Sequence, residues 1–380
     1  MTFCVLICKF VNLNRFNVCL FMENIFGNRL KLARRMAGLS LQALADKMDN
    51  AVTKQALNKY ELGKMKPDSD GLLALADALK VSVDYFFHAQ KFNFKLKRVA
   101  YLKRAKRLLK SDDIAIQTAV VDCLDRYCEL EHLLNVKAQK AFFVFDKVIK
   151  NALDVEAAAK ALRAFWQLGN DPIPDVVALL EDRGYKVFDV TAPDIVFGLS
   201  AEADAERLIV LRRSSKKEGD DAVLRRFIAL HELAHQSLKF KRGLSAKAIE
   251  DLCNLFAEAV LYPEEMLRRD LMGDRTHFYE HELVLLKERW GLSVYSIVHR
   301  AFSLGVVKPR VFNAFVLAYK NRGLHIQFTE PGRFVAKELP VRMKRLVFLG
   351  LAKEVLTLNE AAYFAGVSAW QLRSHLRLMV

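Results

Sequence analysis

Between Phe26 and Phe87 short apolar-periodic runs alternate with capping residues and glycines, a pattern that predicts five short helices. The first covers residues 26–37 and is ended by Gly38. Ser40 stands where it can cap the second, over 41–48. The third follows Thr53, the fourth follows Asp70, and the fifth is Val83–Phe87. Leucine and aromatic spacing predicts a helix over 112–134 and further helix over 142–168. The run Gly169-Asn170-Asp171-Pro172, with Pro174, then marks a boundary. From Gly184 the pattern turns to strand, at 185–190 and 208–211, with 194–198 a further candidate. A long helix over 222–240 follows, and helices dominate to the end. This order predicts a mainly α chain: an all-α five-helix domain, then an α+β domain with a small sheet and a helical C-terminal region.

Composition fits folded domains, with 52% hydrophobic and 27% charged residues in 380. Charge changes the picture more. The net charge is +15, and residues 22–110 alone hold 19 Lys/Arg against 8 Asp/Glu. A positive field confined to one segment points to a phosphate-bearing partner for that segment. The cysteines (Cys4, Cys8, Cys19, Cys123, Cys128 and Cys253) form neither a CxxC pair nor a disulfide framework, which implies reduced thiols in a cytoplasmic protein. Residues 1–21 are apolar, but Lys9 and Arg15 interrupt them and no small-residue cleavage site follows. They are expected to be a non-native leader, with Met22 the true start. No other stretch approaches the ~18 apolar residues of a membrane span, so no membrane partner is expected.

A helix-turn-helix lays its second helix in the major groove, with polar side chains near that helix's start reaching base edges. The segment 53–68 has those parts. Thr53 can cap the helix, Lys54, Gln55, Asn58 and Lys59 share a polar face, and Ala56, Leu57 and Tyr60 can pack inward. Gly63 ends the helix, and Lys64 and Lys66 follow where phosphates would pass. Residues 26–87, through FGNRLKLARRMAGLSLQALADKM, the segment above and LLALADALKVSVDYFF, resemble the Xre/Cro (lambda-repressor-like) helix-turn-helix family. The resemblance implies base reading by Lys54, Gln55, Asn58 and Lys59, and a phosphate contact from Gln42. Double-stranded operator DNA is the implied partner. One recognition helix covers only a half-site, so a homodimer is expected. The basic stretch 91–110 either follows the DNA or is a solvated helix face.

The second motif is His231-Glu232-Leu233-Ala234-His235. Two histidines four apart share a helix face, so both rings can reach one Zn2+ ion. Glu232, beside the open position, can take a proton from the attacking water and later deliver it to the leaving amine. A catalytic zinc site needs a third protein ligand, and the downstream helical pattern offers Glu250; Asn254, one turn on, could hold a ligating histidine. HELAH followed by EDLCNLFAEAVLYP resembles the ImmA/IrrE zinc metallopeptidases, with Cys253 where alanine is usual. The resemblance extends to 286–307. It implies zinc on His231, His235 and Glu250, Glu232 as general base, and a protein substrate of the repressor or antitoxin-like kind. Tyr262, His277 and Tyr279 are candidates for stabilising the tetrahedral intermediate. The alternative is a zinc-containing repressor or antitoxin without turnover, acting as a sensor or partner-binding module.

The resulting layout is the leader at 1–21, a DNA-binding domain over 22–90, a basic helical linker over 91–140, a peptidase domain over 141–310 and C-terminal helices over 311–380. His281-Glu282-Leu283 lacks a second histidine and reads as surface helix. The segment 356–377 reads as a packing helix pair, with a second helix-turn-helix as the other option; Arg373 and Arg377 would face outward.

Overall fold

Side-chain caps set the N-terminal helices. Ser40 Oγ accepts the Ala43 N–H at 3.0 Å, Thr53 Oγ1 the Ala56 N–H at 3.2 Å, Asp68 Oδ1 the Gly71 N–H at 2.8 Å and Ser82 Oγ the Tyr85 N–H at 3.3 Å. The cap of the fourth helix is therefore Asp68, two residues before the expected Asp70. The computed structural model describes residues 24–103, 107–136, 139–213, 222–324 and 330–376. The leader and Arg377 lie outside the described residues.

The elements run α1 (Ile25–Met36), α2 (Leu41–Lys47), α3 (Lys54–Glu61), α4 (Ser69–Leu79) and a 3-10 turn at Val83–Phe87. Next come β1 (Lys97–Lys103), α5 (Lys110–Leu133), β2 (Val148–Ile149), α6 (Ala152–Phe165) and α7 (Val176–Asp182). Strands β3 (Lys186–Val190), β4 (Val196–Ala203) and β5 (Glu206–Arg212) lead into α8 (Ala222–Ser237), β6 (Lys239–Phe240) and α9 (Ala246–Leu261). After these come α10 (Glu264–Leu271), α11 (Glu280–Trp290), α12 (Val294–Ser303) and α13 (Pro309–Asn321), and then α14 (Arg342–Ala352), α15 (Leu358–Ala365) and α16 (Ala369–His375). The chain is mainly α with a small mixed sheet, as the hydrophobic pattern implies.

Three departures have physical causes. The basic stretch expected as helix forms strand β1, because its centre, Val99-Ala100-Tyr101-Leu102, suits a pleated surface and finds a neighbour in β4. Residues 142–168 are not one helix. Asn151 accepts the N–H groups of Leu153 (2.9 Å) and Asp154 (3.2 Å) and starts α6, while β2 before it pairs in parallel with β6. That same pairing ends α8 at Ser237 rather than 240.

The chain forms two compact units, and it passes between them more than once. The first combines the described residues up to Asn93, those of Leu109–Val136 and those from Met343 onward. Arg29, on α1 and 1% exposed, ties these segments together. Its guanidinium donates to Tyr85 O, Asp122 Oδ1 and the Tyr363 hydroxyl, each at 3.1 Å. Asp122 on α5 also accepts the Tyr85 hydroxyl at 3.0 Å and Arg126 Nε at 3.1 Å. Arg126 in turn donates to the Tyr363 and Phe364 carbonyls that end α15. The C-terminal pair α15–α16 is thus seated by buried polar contacts through Tyr363. Gly27 permits α1 to approach the end of α3, since a Cβ there would lie 2.5 Å from Glu61 O.

The second unit holds Phe94–Leu108 and Lys137–Arg342. Its sheet has the order β1-β4-β5-β3, with β1–β4 and β4–β5 antiparallel and β3–β5 parallel. Helix α8 packs on this sheet and against α9, and one continuous core runs from Phe143 to Val307. Gln236 on α8 donates to Ala201 O (3.2 Å) and Leu208 O (2.6 Å), which pins the helix to β4 and β5.

Replacing Asp122 by Ala leaves Arg29 buried without its carboxylate, a loss of about 3–5 kcal/mol for such a pair. Amide hydrogen exchange in α1 and α5 should accelerate accordingly while exchange in α9 stays unchanged. Unaltered exchange in α1 and α5 would show that the Arg29 network does not hold this unit.

Candidate metal centre and nucleic-acid interface

His231 and His235 sit one turn apart on α8, and their Nε2 atoms are 3.2 Å apart. Helix α9, capped by Ser245, brings Glu250 across both rings. Its Oε2 lies 3.1 Å from His231 Nε2 and its Oε1 3.4 Å from His235 Nε2. A cation about 2.1 Å from each of three tetrahedral donors sets those donors about 3.4 Å apart, so the spacing suits a zinc-sized ion. Two imidazole Nε2 atoms facing each other also favour a cation or a proton between them. His231 Nδ1 faces Asn254 Oδ1 at 2.9 Å; donation of Nδ1–H to that oxygen leaves the Nε2 lone pair on the site.

Cys253 is the second possible third donor, since its sulfur and the two histidines can be drawn within 4.8 Å. Its Sγ, however, lies behind the His235 ring, 3.8 Å from Nδ1, while the Glu250 carboxylate faces both Nε2 atoms. Glu250 is the better-placed donor. Partial burial pushes its carboxyl up, but the two imidazoles outweigh that and hold it down at about 2. For His235, burial lowers the imidazole pKa, yet contact with Glu250 and the charge of Glu232 leave it raised.

Glu232 is fully buried. Its Oε1 accepts the Leu102 N–H of β1 at 3.1 Å, and its Oε2 has no hydrogen-bond partner among the described residues. Burial raises its carboxyl, with the nearby imidazoles opposing. Gly198 on β4 makes room for it, since a Cβ there would lie 3.2 Å from Glu232 Oε1 and 2.5 Å from Ile228 Cγ2. The three candidate stabilisers fare differently. Tyr262 is buried, stacked on Trp290 and donates its hydroxyl to Asp270 at 3.0 Å. His277 and Tyr279 pack edge to face just before α11. His281 is exposed on α11, and Glu282 there pairs with Arg275.

On the first unit, Thr53, Lys54, Gln55, Asn58 and Lys59 are all exposed on or beside α3, while Leu57 and Tyr60 are buried. The turn before α3 runs through Asp49 and Asn50 at φ 52° and 57°, left-handed positions that these residue types tolerate. Behind α3, Arg34 grips the Glu61 carboxylate at 2.6 and 3.0 Å. Lys64 is exposed after the helix. Gln42 is exposed too, but its amide donates to Asp46 at 2.9 Å and must let go to meet a phosphate.

Residues 30–86 match the Helix-turn-helix family profile, and residues 217–302 match that of the IrrE N-terminal-like domain. The chain joins an Xre-type helix-turn-helix domain to an IrrE-like domain. Among curated proteins it is similar to the SPbeta prophage-derived uncharacterized HTH-type transcriptional regulator YonR of Bacillus subtilis, 42% identical over 69 residues. That match covers 17% of this chain and 62% of the relative. It is also similar to the uncharacterized HTH-type transcriptional regulator YqaE of the same organism, 35% identical over 66 residues, covering 17% and 55%. The chain thus spans about three fifths of the length of these relatives. The IrrE-like span contains α8 and α9 and therefore His231, Glu232, His235, Glu250, Cys253 and Asn254, whereas Leu102, whose main-chain N–H meets Glu232, lies outside it. Among the described residues no helix is long and apolar enough to cross a membrane.

Sequence reasoning missed Leu102, Gly198, Gln236 and the position of Cys253 behind His235. Only Cys253 carried a local signal, its departure from alanine. If Asn254 fixes the ring of His231, Asn254→Ala should weaken Zn2+ binding about 10–100-fold in chelator competition. Cys253→Ala should change it by less than about threefold, and a larger loss there would make the sulfur the ligand. In both proteins uptake should weaken as pH falls through the raised His235 imidazole, because the bound form needs that ring unprotonated.

Proposed function

We propose that this chain is a cytoplasmic, homodimeric DNA-binding regulator whose IrrE-like domain is a zinc endopeptidase acting on a repressor or antitoxin-like protein. What carries the reading is the convergence of one carboxylate and two imidazole Nε2 atoms at tetrahedral spacing, with a second, buried carboxylate beside them.

His231, His235 and Glu250 would hold the ion, leaving a fourth position for water and a peptide carbonyl. A bound Zn2+ would supply Lewis-acid polarisation there. Glu232 would take the proton of the attacking water and hand it to the amide nitrogen as the C–N bond breaks. A carboxyl raised by burial is suited to carry that proton near neutral pH. Asn254 would keep the His231 lone pair on the site. In the helix-turn-helix domain, Lys54, Gln55, Asn58 and Lys59 would meet base edges in the major groove. Thr53, Gln42 and Lys64 would meet the phosphates flanking them.

One observation favours a second reading, a zinc-binding sensor or partner-binding module without turnover: Glu232 is buried and already accepts a main-chain N–H. A peptide library analysed by mass spectrometry separates the two. The zinc-loaded protein should cut it, whereas Glu232→Gln should keep the metal and lose about 10²–10⁴-fold in rate. Cutting that survives in the variant removes Glu232 from the chemistry, and none by the wild type leaves the sensor.

DNA selected from a random pool tests the other half. Gln55→Ala should relax base preference at one position at a cost of about 1–3 kcal/mol. Lys64→Ala should weaken all sequences alike and lower the salt slope by about one. Equal losses from both substitutions at every base would argue that α3 does not read sequence.

A further inference from the structure

Strand β1 is the least settled member of its sheet. Strands β3, β4 and β5 are largely buried, whereas every residue of β1 is exposed or half-buried. Its pairing with β4 slips twice, between Lys97 and Ala100 and between Leu102 and Lys103. Arg98 sits at φ 50°, a left-handed conformation that a non-glycine residue adopts only under constraint. Being an edge strand, β1 pairs on one side only, with β4.

This loosely held strand is nevertheless the one that reaches the site. The Leu102 N–H donates to Glu232 Oε1 at 3.1 Å. The Arg98 guanidinium donates to the Glu202 carboxylate on β4 at 2.9 Å and to the His235 carbonyl at 3.4 Å. A main-chain amide of an extended segment, antiparallel to β4, is thus delivered to the carboxylate read above as the group that serves a peptide's amide nitrogen. Any other polypeptide laid along β4 in the same direction would present an N–H at the same place, as strand addition to a free sheet edge requires.

We propose that Lys97–Lys103 sits in the substrate's seat: the protein segment bound by the metal centre adds to β4 as an extended strand and displaces β1 to do so. The inference rests on the peptidase reading of Glu232. The present occupant indicates the chemistry the seat accepts. Val99, Ala100, Tyr101 and Leu102 form a short apolar and aromatic run, with Lys97 and Arg98 before it and Lys103 after it. The partner is therefore an extended apolar segment flanked by cations, with Glu202 receiving the cation that precedes the run. Because β1 is tethered, it competes at an effective concentration of roughly millimolar, and a partner must overcome that to bind.

The test uses the full-length, zinc-loaded protein carrying Glu232→Gln, so that binding is read without turnover. The probe is a fluorescent peptide copying residues 95–106, KLKRVAYLKRAK, with a scrambled peptide as control. Ala100→Pro removes a central amide from β1 and should tighten binding of the copy, but not of the scramble, about tenfold or more. Ala100 and Ser200 are partners across the β1–β4 pairing, so Ala100→Cys with Ser200→Cys can lock β1 in place and leave Glu202 to receive the cation. The oxidised lock should abolish binding and reductant should restore it. This pair leaves the strand seated, so it decides the matter even if Ala100→Pro fails to fold. Equal binding by oxidised and reduced lock, no binding to any variant, or equal binding of copy and scramble overturns the proposal. Failure of the Glu232-intact protein to cut any peptide would overturn the peptidase reading alone.

Discussion

The candidate metal centre depends on the contact between α8 and α9. Two histidines on one helix fix only a line; a third donor must come from elsewhere, and it must arrive within about 0.5 Å of its ideal place. The α8–α9 packing supplies it. Ala229 and Ala234 of α8 and Ala257 and Ala259 of α9 are buried in one core with Phe256 and Val260. Gln236 then holds α8 to the sheet carbonyls, and Ser245 fixes where α9 begins. Four residues beyond Glu250, at the spacing of one helical turn, Asn254 meets the His231 ring. One packing contact thus sets both the donor and the group that orients a donor.

The local parts of this arrangement are legible in the sequence. The His231 and His235 spacing, the Glu250 and Asn254 spacing, and the caps at Ser40 and Thr53 each follow from a single helix's geometry, and no fold is needed to read them. What escaped is what two distant segments make together. The Leu102 amide carries no side-chain signature at all, and it meets Glu232 across 130 positions of sequence. Gly198 matters only because a helix lies over it. Strand β1 was read as helix because a short basic run with an apolar centre fits either period, and only its neighbour β4 decides.

Charge was legible in total but not in place. Arg29 counts toward the positive excess of residues 22–110, yet it is buried and matched by Asp122. Arg34 is spent on Glu61 in the same way. Lys54, Lys59, Lys64 and Lys66, on α3 and after it, are exposed, and so are Lys31, Arg35, Lys47 and Lys80 elsewhere in the helix-turn-helix domain. The positive surface is thus smaller than composition suggests, by Arg29 and Arg34, but it is not confined to α3.

Arg29 and Tyr363 meet across 334 positions of sequence. A ribosome adding ~5–20 residues per second leaves the first of these side chains waiting on the order of tens of seconds for the second. Meanwhile the whole of Lys137–Arg342 has been synthesised and can collapse on its own core. The half of the protein started first is finished last. In a cell making this protein, a young chain therefore carries the half with the candidate metal centre complete before the polar interior of its helix-turn-helix half is closed.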